Sequence, residues 1–270
     1  MLPLTPAEIV IALTCCLLLA IFIYVFRVLD LVGSLLAFTM GMIIWLYASV
    51  YWLVILISFM IFGFIATKFK YGYKKAMGVG EGDKGKRGGY NVLANALVPT
   101  IIAFMYGVYS FYNKESIFVR VASVVYLSAV SVGAADTFAS EIGVLSNKVY
   151  WILDPRKKVE VGTDGGFSVL GQAAALCGAV LTTALGCYLF YTYPQAALDP
   201  NGTLGISLYT LLNINFVIAI SIIVGFAGCQ IDSVLGATLQ KRGYLTNSSV
   251  NHVAIGIGAL LAMGVVLWIG

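Results

Sequence analysis

Residues 132–143 read Val132-Gly-Ala-Ala-Asp136-Thr-Phe-Ala-Ser-Glu141-Ile-Gly143 and close a run, residues 117–142, apolar enough to lie inside a lipid bilayer. A charge at membrane depth costs from about 2.5 to well above 10 kcal/mol, so an acid kept there binds an ion, relays a proton or faces a polar cavity. On a helix, spacings of three and four put Gly133, Asp136, Ser140 and Gly143 on one face, with Glu141 about 140° round from Asp136. Asp136 is therefore expected to look into a groove of small residues.

The rest of the chain has the same character. Its 270 residues are 60% hydrophobic and only 10% charged, with a mean hydropathy of +0.95, far from the balance of a soluble domain. Further runs of spanning length cover residues 9–26, 31–47, 50–66, 91–112, 169–193, 206–231 and 253–269. With residues 117–142 they predict an all-α polytopic membrane protein, a single bundle of about eight helices with no separate soluble domain. The uncharged stretch 31–66 is too long for one crossing and is expected to turn near residues 48–50. The five cysteines lie inside apolar runs with no Cys-x-x-Cys pair, so neither a disulfide framework nor a zinc site is suggested.

Lys and Arg set the orientation, because cytoplasmic loops collect them. With both termini outside, all of the sixteen Lys and Arg except Lys114 and Arg120 fall on the inner side. This predicts a multi-pass protein of the cell membrane whose chemistry sits on the cytoplasmic face, with no nucleic-acid partner. An Asn201-Gly-Thr sequon falls on the outer side and carries little weight.

Four inner stretches carry the polar chemistry. Residues 67–90 hold seven basic and two acidic residues together with seven glycines, a composition that can turn backbone N–H groups and cations toward phosphate. Lys84, Lys86 and Arg87 are the candidates there; the overlapping matches to a dinucleotide fingerprint and to a P-loop follow no strand, and Arg87 replaces the Ser or Thr of a P-loop. Asn91 and Asn95 follow on one helix face, placed either to hold phosphate oxygens or to bridge helices. Residues 154–168 bring Lys158, Gly162, Thr163, Gly165 and Gly166 ahead of a helix start whose free N–H groups suit an anion. Finally, Asp232-Ser233 with Gly228 and Gly236 echoes Asp136 with Gly133 and Ser140, and Lys241 and Arg242 follow it. Two such helix ends facing each other could hold Mg²⁺, which takes one or two carboxylates and keeps water or phosphate oxygens for its other positions. The lone His252 reads as a cap or interface residue outside the site, and no Ser-His-Asp or Cys-His set suggests covalent hydrolysis.

Arg87-Gly-Gly-Tyr-Asn91-Val-x-x-Asn95, Ala135-Asp136-Thr-x-Ala139-Ser140-Glu141-Ile-Gly143, Gly162-Thr163-Asp-Gly165-Gly166-x-Ser168 and Gly225-x-x-Gly228-x-x-x-Asp232-Ser233-x-x-Gly236 together resemble an integral-membrane family first described as a domain of unknown function, which includes the plant phytyl-phosphate kinase. More distantly, Asp136-x-x-Ala139-x-x-x-Gly143 and Lys158-x-Glu160-x-Gly162-Thr163 are similar to motifs of the CTP-using dolichol and phytol kinases and the CDP-diacylglycerol synthases, with Val161 as an extra residue. The resemblance implies a CTP donor with Mg²⁺ and an isoprenyl monophosphate acceptor.

The expectation is a membrane-embedded, CTP-dependent isoprenyl-phosphate kinase. Asp136 and Asp232, with Glu141 as a weaker candidate, would bind Mg²⁺. Lys84, Lys86, Arg87, Asn91, Asn95, Ser140, Lys158, Gly162, Thr163, Gly165, Gly166, Ser233, Lys241 and Arg242 would contact nucleotide or substrate phosphate. The rivals are a lipid cytidylyltransferase or other lipid phosphotransferase, and an ion-coupled transporter; a homodimer is left open.

Overall fold

In the computed structural model, which describes residues 5–80, 88–113, 116–193 and 213–269, apolar runs become helices wherever no glycine–proline cluster or charge interrupts them. The helices are α1 (Pro6–Val25), α2 (Leu31–Tyr47), α3 (Val50–Lys68), the short α4 (Tyr71–Ala76), α5 (Gly89–Tyr112), α6 (Ile117–Gly143), α7 (Val169–Thr192), α8 (Ile214–Leu235) and α9 (Asn247–Ile269). Seven of them are long and apolar enough to cross a membrane, and α2, with 17 residues, is a shorter apolar helix of about 25 Å. The expected break in the stretch 31–66 falls at Ala48 and Ser49, between α2 and α3. Lys84, Lys86, Arg87, Lys114 and the Asn201 sequon lie outside the described residues.

The starts of α2 and α7 are fixed by side chains that take up free backbone N–H groups. Asp30 Oδ1 accepts from Gly33 N–H at 2.6 Å at the start of α2, and Ser168 Oγ accepts from Gly171 N–H at 3.0 Å at the start of α7. The connection between α6 and α7 is a long one. There the expectation of a plain loop is corrected: residues 149–167 form a three-stranded antiparallel sheet in the order β2-β1-β3, from β1 (Val149–Trp151), β2 (Asp154–Val159) and β3 (Gly166–Phe167). Outside the bilayer the backbone can pair strand to strand, and Val149-Tyr-Trp151 supplies the β-branched and aromatic residues that favour it.

Helix α6 is the axis of the bundle. It packs against α7, α8, α9, α5 and α3 and is buried along nearly its whole length. Small residues on the neighbours make this close approach possible. Val132 of α6 sits between Gly228 of α8 and Gly258 of α9, where an added Cβ would come within 2.5 and 2.6 Å of its methyl Cγ2. In lipid, where apolar burial gives little gain, such backbone-to-side-chain packing holds helices together.

One ion pair ties α4 to this axis. Lys74 on α4 is fully buried, and its Nζ lies 2.7 Å from Glu141 Oε2, 2.8 Å from the Ala66 carbonyl and 3.1 Å from that of Thr67. Thr67 Oγ1 donates to the other carboxylate oxygen, Glu141 Oε1, at 2.6 Å. All three ammonium protons and both carboxylate oxygens are thus used. Removing one partner of such a pair strands a buried charge, at a cost of about 3–5 kcal/mol, whereas replacing both by apolar groups of similar volume is close to neutral. Glu141→Ala is therefore expected to lower the unfolding temperature in detergent clearly, and Lys74→Met combined with Glu141→Leu to regain most of the loss; a Glu141→Ala protein as stable as wild type would show that the pair holds nothing.

Candidate functional site between the ends of two helices

The last two turns of α6 and the last turn of α8 carry one acid each toward the same place. Asp136 and Asp232 face each other within hydrogen-bonding reach, and both line a polar cleft formed by two adjoining cavities of about 180 and 320 Å³. Two ionised carboxyls so close repel strongly unless a proton or a cation lies between them. Asn251 on α9 completes one side: with its amide oriented to donate, it reaches Asp232 Oδ2 at 3.2 Å and the Asn247 carbonyl at 2.8 Å. Asp136 and Ser140, one turn apart as the spacing predicts, line both cavities, while Gly133 packs one turn deeper, against Phe59, Asn95 and Ile255.

The opposite wall is backbone. Residues 161–168 line the cleft, and the loop is held by contacts that only glycine permits. Gly165, at φ +72°, presses on Ala237 and on the Ser233 carbonyl, where a Cβ would stand 2.8 Å from the oxygen. Gly162, at φ +85°, abuts Val79, whose Cγ1 would be 2.8 Å from a Cβ there. Gln240 Nε2 donates to Asp164 Oδ1 at 2.8 Å, tying the loop to the wider, π-type turn Gly236–Gln240 that follows α8. Ser168 then donates to the Gly143 carbonyl at 3.2 Å and locks the end of α6 to the start of α7. Three separate connections thereby meet around the two acids.

Most of the residues singled out in the sequence come together here. Asp136, Ser140, Gly162, Thr163, Gly165, Gly166, Asp232 and Ser233 line the cleft, and Asn91 lines its edge beside Gly78 and Val79. Others do not. Glu141, expected as a third metal ligand, reaches the rim of the cleft, but both of its oxygens are engaged by Lys74 and Thr67. Among the described residues no group of three or more His, Cys, Asp or Glu side chains could hold a metal, which leaves the pair Asp136 and Asp232. Lys158 sits on the exposed strand β2 opposite Tyr150, and Arg242 is exposed beyond the turn. Lys241 lies over the Trp151 ring, its Nζ 5.1 Å from the centroid. None of these three lines the cleft; for Lys158 the reason is that pairing into β2 carries it away from the acids. Asn95 is buried behind Asn91 and faces an apolar cavity instead.

The cleft also contains groups that the sequence reading left out: Asp164, Gln172, Gln240, Asn247 and Asn251. For Asn247 and Asn251 a signal existed, two amides four residues apart at a helix start, which share a face. Gln172 and Gln240 carry no such signal; Gln172 is placed by the amide bond it accepts from Gln230 Nε2 at 2.8 Å.

Comparison with known proteins agrees along most of the chain. The profile of a family described as "Integral membrane protein DUF92" matches residues 14–259. An uncharacterized membrane protein of Methanocaldococcus jannaschii is 29% identical over 245 residues, which cover 91% of this chain and 89% of that protein. Protein VTE6, chloroplastic, of Arabidopsis thaliana is 28% identical over 236 residues, covering 86% of this chain and 63% of its own length. An uncharacterized membrane protein of a Synechocystis strain is 29% identical over 233 residues, or 85% and 79% of the two chains. No solved structure matches. With its acid pair, its glycine loop and its helical frame all inside the matched span, the chain belongs to the integral membrane protein family DUF92.

Proposed function

We propose that this protein is a membrane-embedded kinase that transfers a phosphoryl group from a nucleoside triphosphate, CTP by the motif resemblance, to an isoprenyl monophosphate, giving the isoprenyl diphosphate and the nucleoside diphosphate. The observation that carries the reading is the meeting of Asp136 and Asp232 across a polar cleft walled by glycine backbone at the ends of an apolar bundle. Two carboxyls, the hydroxyls of Ser140 and Ser233 and open polar volume fit Mg²⁺, which binds through one or two carboxylates and leaves its remaining positions to water and phosphate. When bound, the ion would neutralise charge on the phosphates. The isoprenoid acceptor is supported by the resemblance to a family that includes the plant phytyl-phosphate kinase.

The chain's own residues have a limited task in such a reaction. Phosphoryl transfer depends mainly on positioning and on neutralising charge, and an acceptor phosphate oxygen is already anionic, so no strong general base is needed. The backbone of residues 162–166 would line the phosphates of the donor, with Ser140, Ser233 and Asn91 offering hydrogen bonds around them. Among the described residues no Lys or Arg lines the cleft, so in this reading the cations come from Lys84, Lys86 and Arg87, whose segment begins after Gly80 and ends before Gly88, next to cleft residues Val79 and Asn91. The cleft end of the bundle also carries Lys68, Lys75, Lys148 and Arg156, which supports a cytoplasmic orientation. A transporter would need its acids near the middle of the membrane, whereas these lie within two turns of their helix ends.

The following outcomes are expected. Purified protein in nanodiscs with radiolabelled CTP and geranylgeranyl phosphate should form diphosphate and release CDP; release of pyrophosphate would make it a cytidylyltransferase instead. Asp136→Asn and Asp232→Asn should each reduce turnover by about a hundredfold or more while the protein still elutes as a folded species, and full activity in either would sink the assignment. Chelation should abolish turnover and Mg²⁺ restore it. Gly165→Val, which would force a side chain into Ala237 and the Ser233 carbonyl, should raise the KM for nucleotide at least about tenfold; neutralising Lys84, Lys86 and Arg87 together should act on the same constant.

A further inference from the structure

Asn251 closes the first turn of α9, the helix that completes one side of the acid pair. Its place is set by packing: Val250, Ala254 and Ile255 around it are each 1% exposed or less, and Gly258 lets α9 close on Val132 of α6. The amide itself is committed. Its nitrogen faces two acceptors, the Asn247 carbonyl at 2.8 Å and Asp232 Oδ2 at 3.2 Å, and each takes one of its two protons. Turning the amide over would bring its oxygen against both acceptors, so the direction of donation is fixed.

Asp232 is thereby held on one oxygen by α9 while it faces Asp136 of α6 within hydrogen-bonding reach. All three side chains, with Asn247, line one polar cavity of about 320 Å³. With Oδ2 engaged, the carboxylate does not swing about its Cβ–Cγ bond, and its direction is set before any ligand arrives. The charge of the place is set as well. Glu141 at the rim is paired with Lys74, Asp164 accepts from Gln240, and among the described residues no third His, Cys, Asp or Glu joins the two acids. Asn251 stands where a third carboxylate would reach them. As a neutral amide it leaves the ionised pair with a charge that one divalent cation balances.

We propose, resting on the reading of the acid pair as a cation site and not on the identity of donor or acceptor, that Asn251 is the positioning residue of that site and sets its choice of metal. Its amide holds Asp232 in the direction that lets both carboxylates take one ion. A group that orients a metal ligand from behind is worth about 10–100-fold in metal affinity. Its neutrality suits the place to Mg²⁺, which takes one or two carboxylates and keeps its waters, whereas Ca²⁺ gathers about six to eight oxygens and gains from a further carboxylate.

The test is metal binding by the full-length protein in detergent, with no nucleotide and no turnover. Free Mn²⁺ is followed by its paramagnetic resonance signal, and Mg²⁺ and Ca²⁺ affinities are read from competition against it. Wild type should bind Mn²⁺, and Asp232→Asn should lose it. Asn251→Leu, which keeps the size of the side chain and removes the donor, should weaken Mn²⁺ about 10–100-fold. Asn251→Asp should lower the preference for Mg²⁺ over Ca²⁺ at least about tenfold, a change that a residue serving only to pack α9 would not produce. Unfolding temperatures of the same samples separate loss of the site from loss of the fold, and the Asp variant decides the matter if the Leu variant does not fold. Wild type without bound Mn²⁺, Mn²⁺ retained by Asp232→Asn, or wild-type affinity and metal preference in the Asn251 variants would overturn the proposal. If the metal binds as expected and no isoprenyl phosphate is turned over, the kinase reading falls and the role of Asn251 stands; turnover without dependence on Asn251 gives the reverse.

Discussion

A helix enclosed on every side by other helices can carry polar groups that a lipid-facing helix cannot, and the structure depends on α6 occupying that position. Its serines, Thr137, Asp136 and Glu141 belong to a helix buried along nearly its whole length, where water does not reach most of them and each must find a partner in protein or in a cavity. The enclosure is achieved by small residues. Gly178 packs against the Ala134 carbonyl, and Gly228 and Gly258 against Val132, bringing α7, α8 and α9 close enough to shield the axis. Tyr126 shows the same logic deeper in the bundle, donating its hydroxyl to the Trp52 carbonyl at 2.7 Å while its ring packs on that indole.

The same closeness shapes the site. Because α6, α7 and α8 approach through glycine, their ends beside the cleft converge, and the connections that join them must fold over one another. Gly162 against Val79, Gly165 against Ala237 and Gln240 on Asp164 are the results. The buried pair of Lys74 and Glu141 holds α4 down on α6, and through Val79 it steadies the edge of the cleft that borders the glycine loop. A cation drawn fully out of water by one carboxylate and two carbonyls is costly to assemble, and it fixes a geometry that exposed lysines of the same segment could not.

Polar and apolar spaces meet at Asn91 because of helix periodicity. Asn91 and Asn95 share a face of α5, so one amide reaches the cleft while the next turn carries its neighbour into the apolar cavity. A lipid with a charged head and a hydrocarbon tail has this same division, and a site serving it must place both environments side by side at the membrane surface.

The sequence by itself determined the class of fold, the number of apolar helices, the turn near residues 48–50 and the small-residue faces that carry Asp136 and Asp232, because those rest on local hydropathy and on helical spacing, which a bilayer makes nearly obligatory. Only the tertiary structure decided that Glu141 belongs to Lys74, that residues 149–167 pair into a sheet carrying Lys158 outward, that Lys241 lies over Trp151, and that Asn247 and Asn251 join the acids. Lys74 shows the reason most plainly. Four residues of similar charge stand within eight positions of each other, Lys68, Lys70, Lys74 and Lys75, and nothing in their order says which one turns inward. That choice is made by a carboxylate 67 residues away in the chain, and the partner of a buried charge is fixed by packing between helices, which no local pattern records.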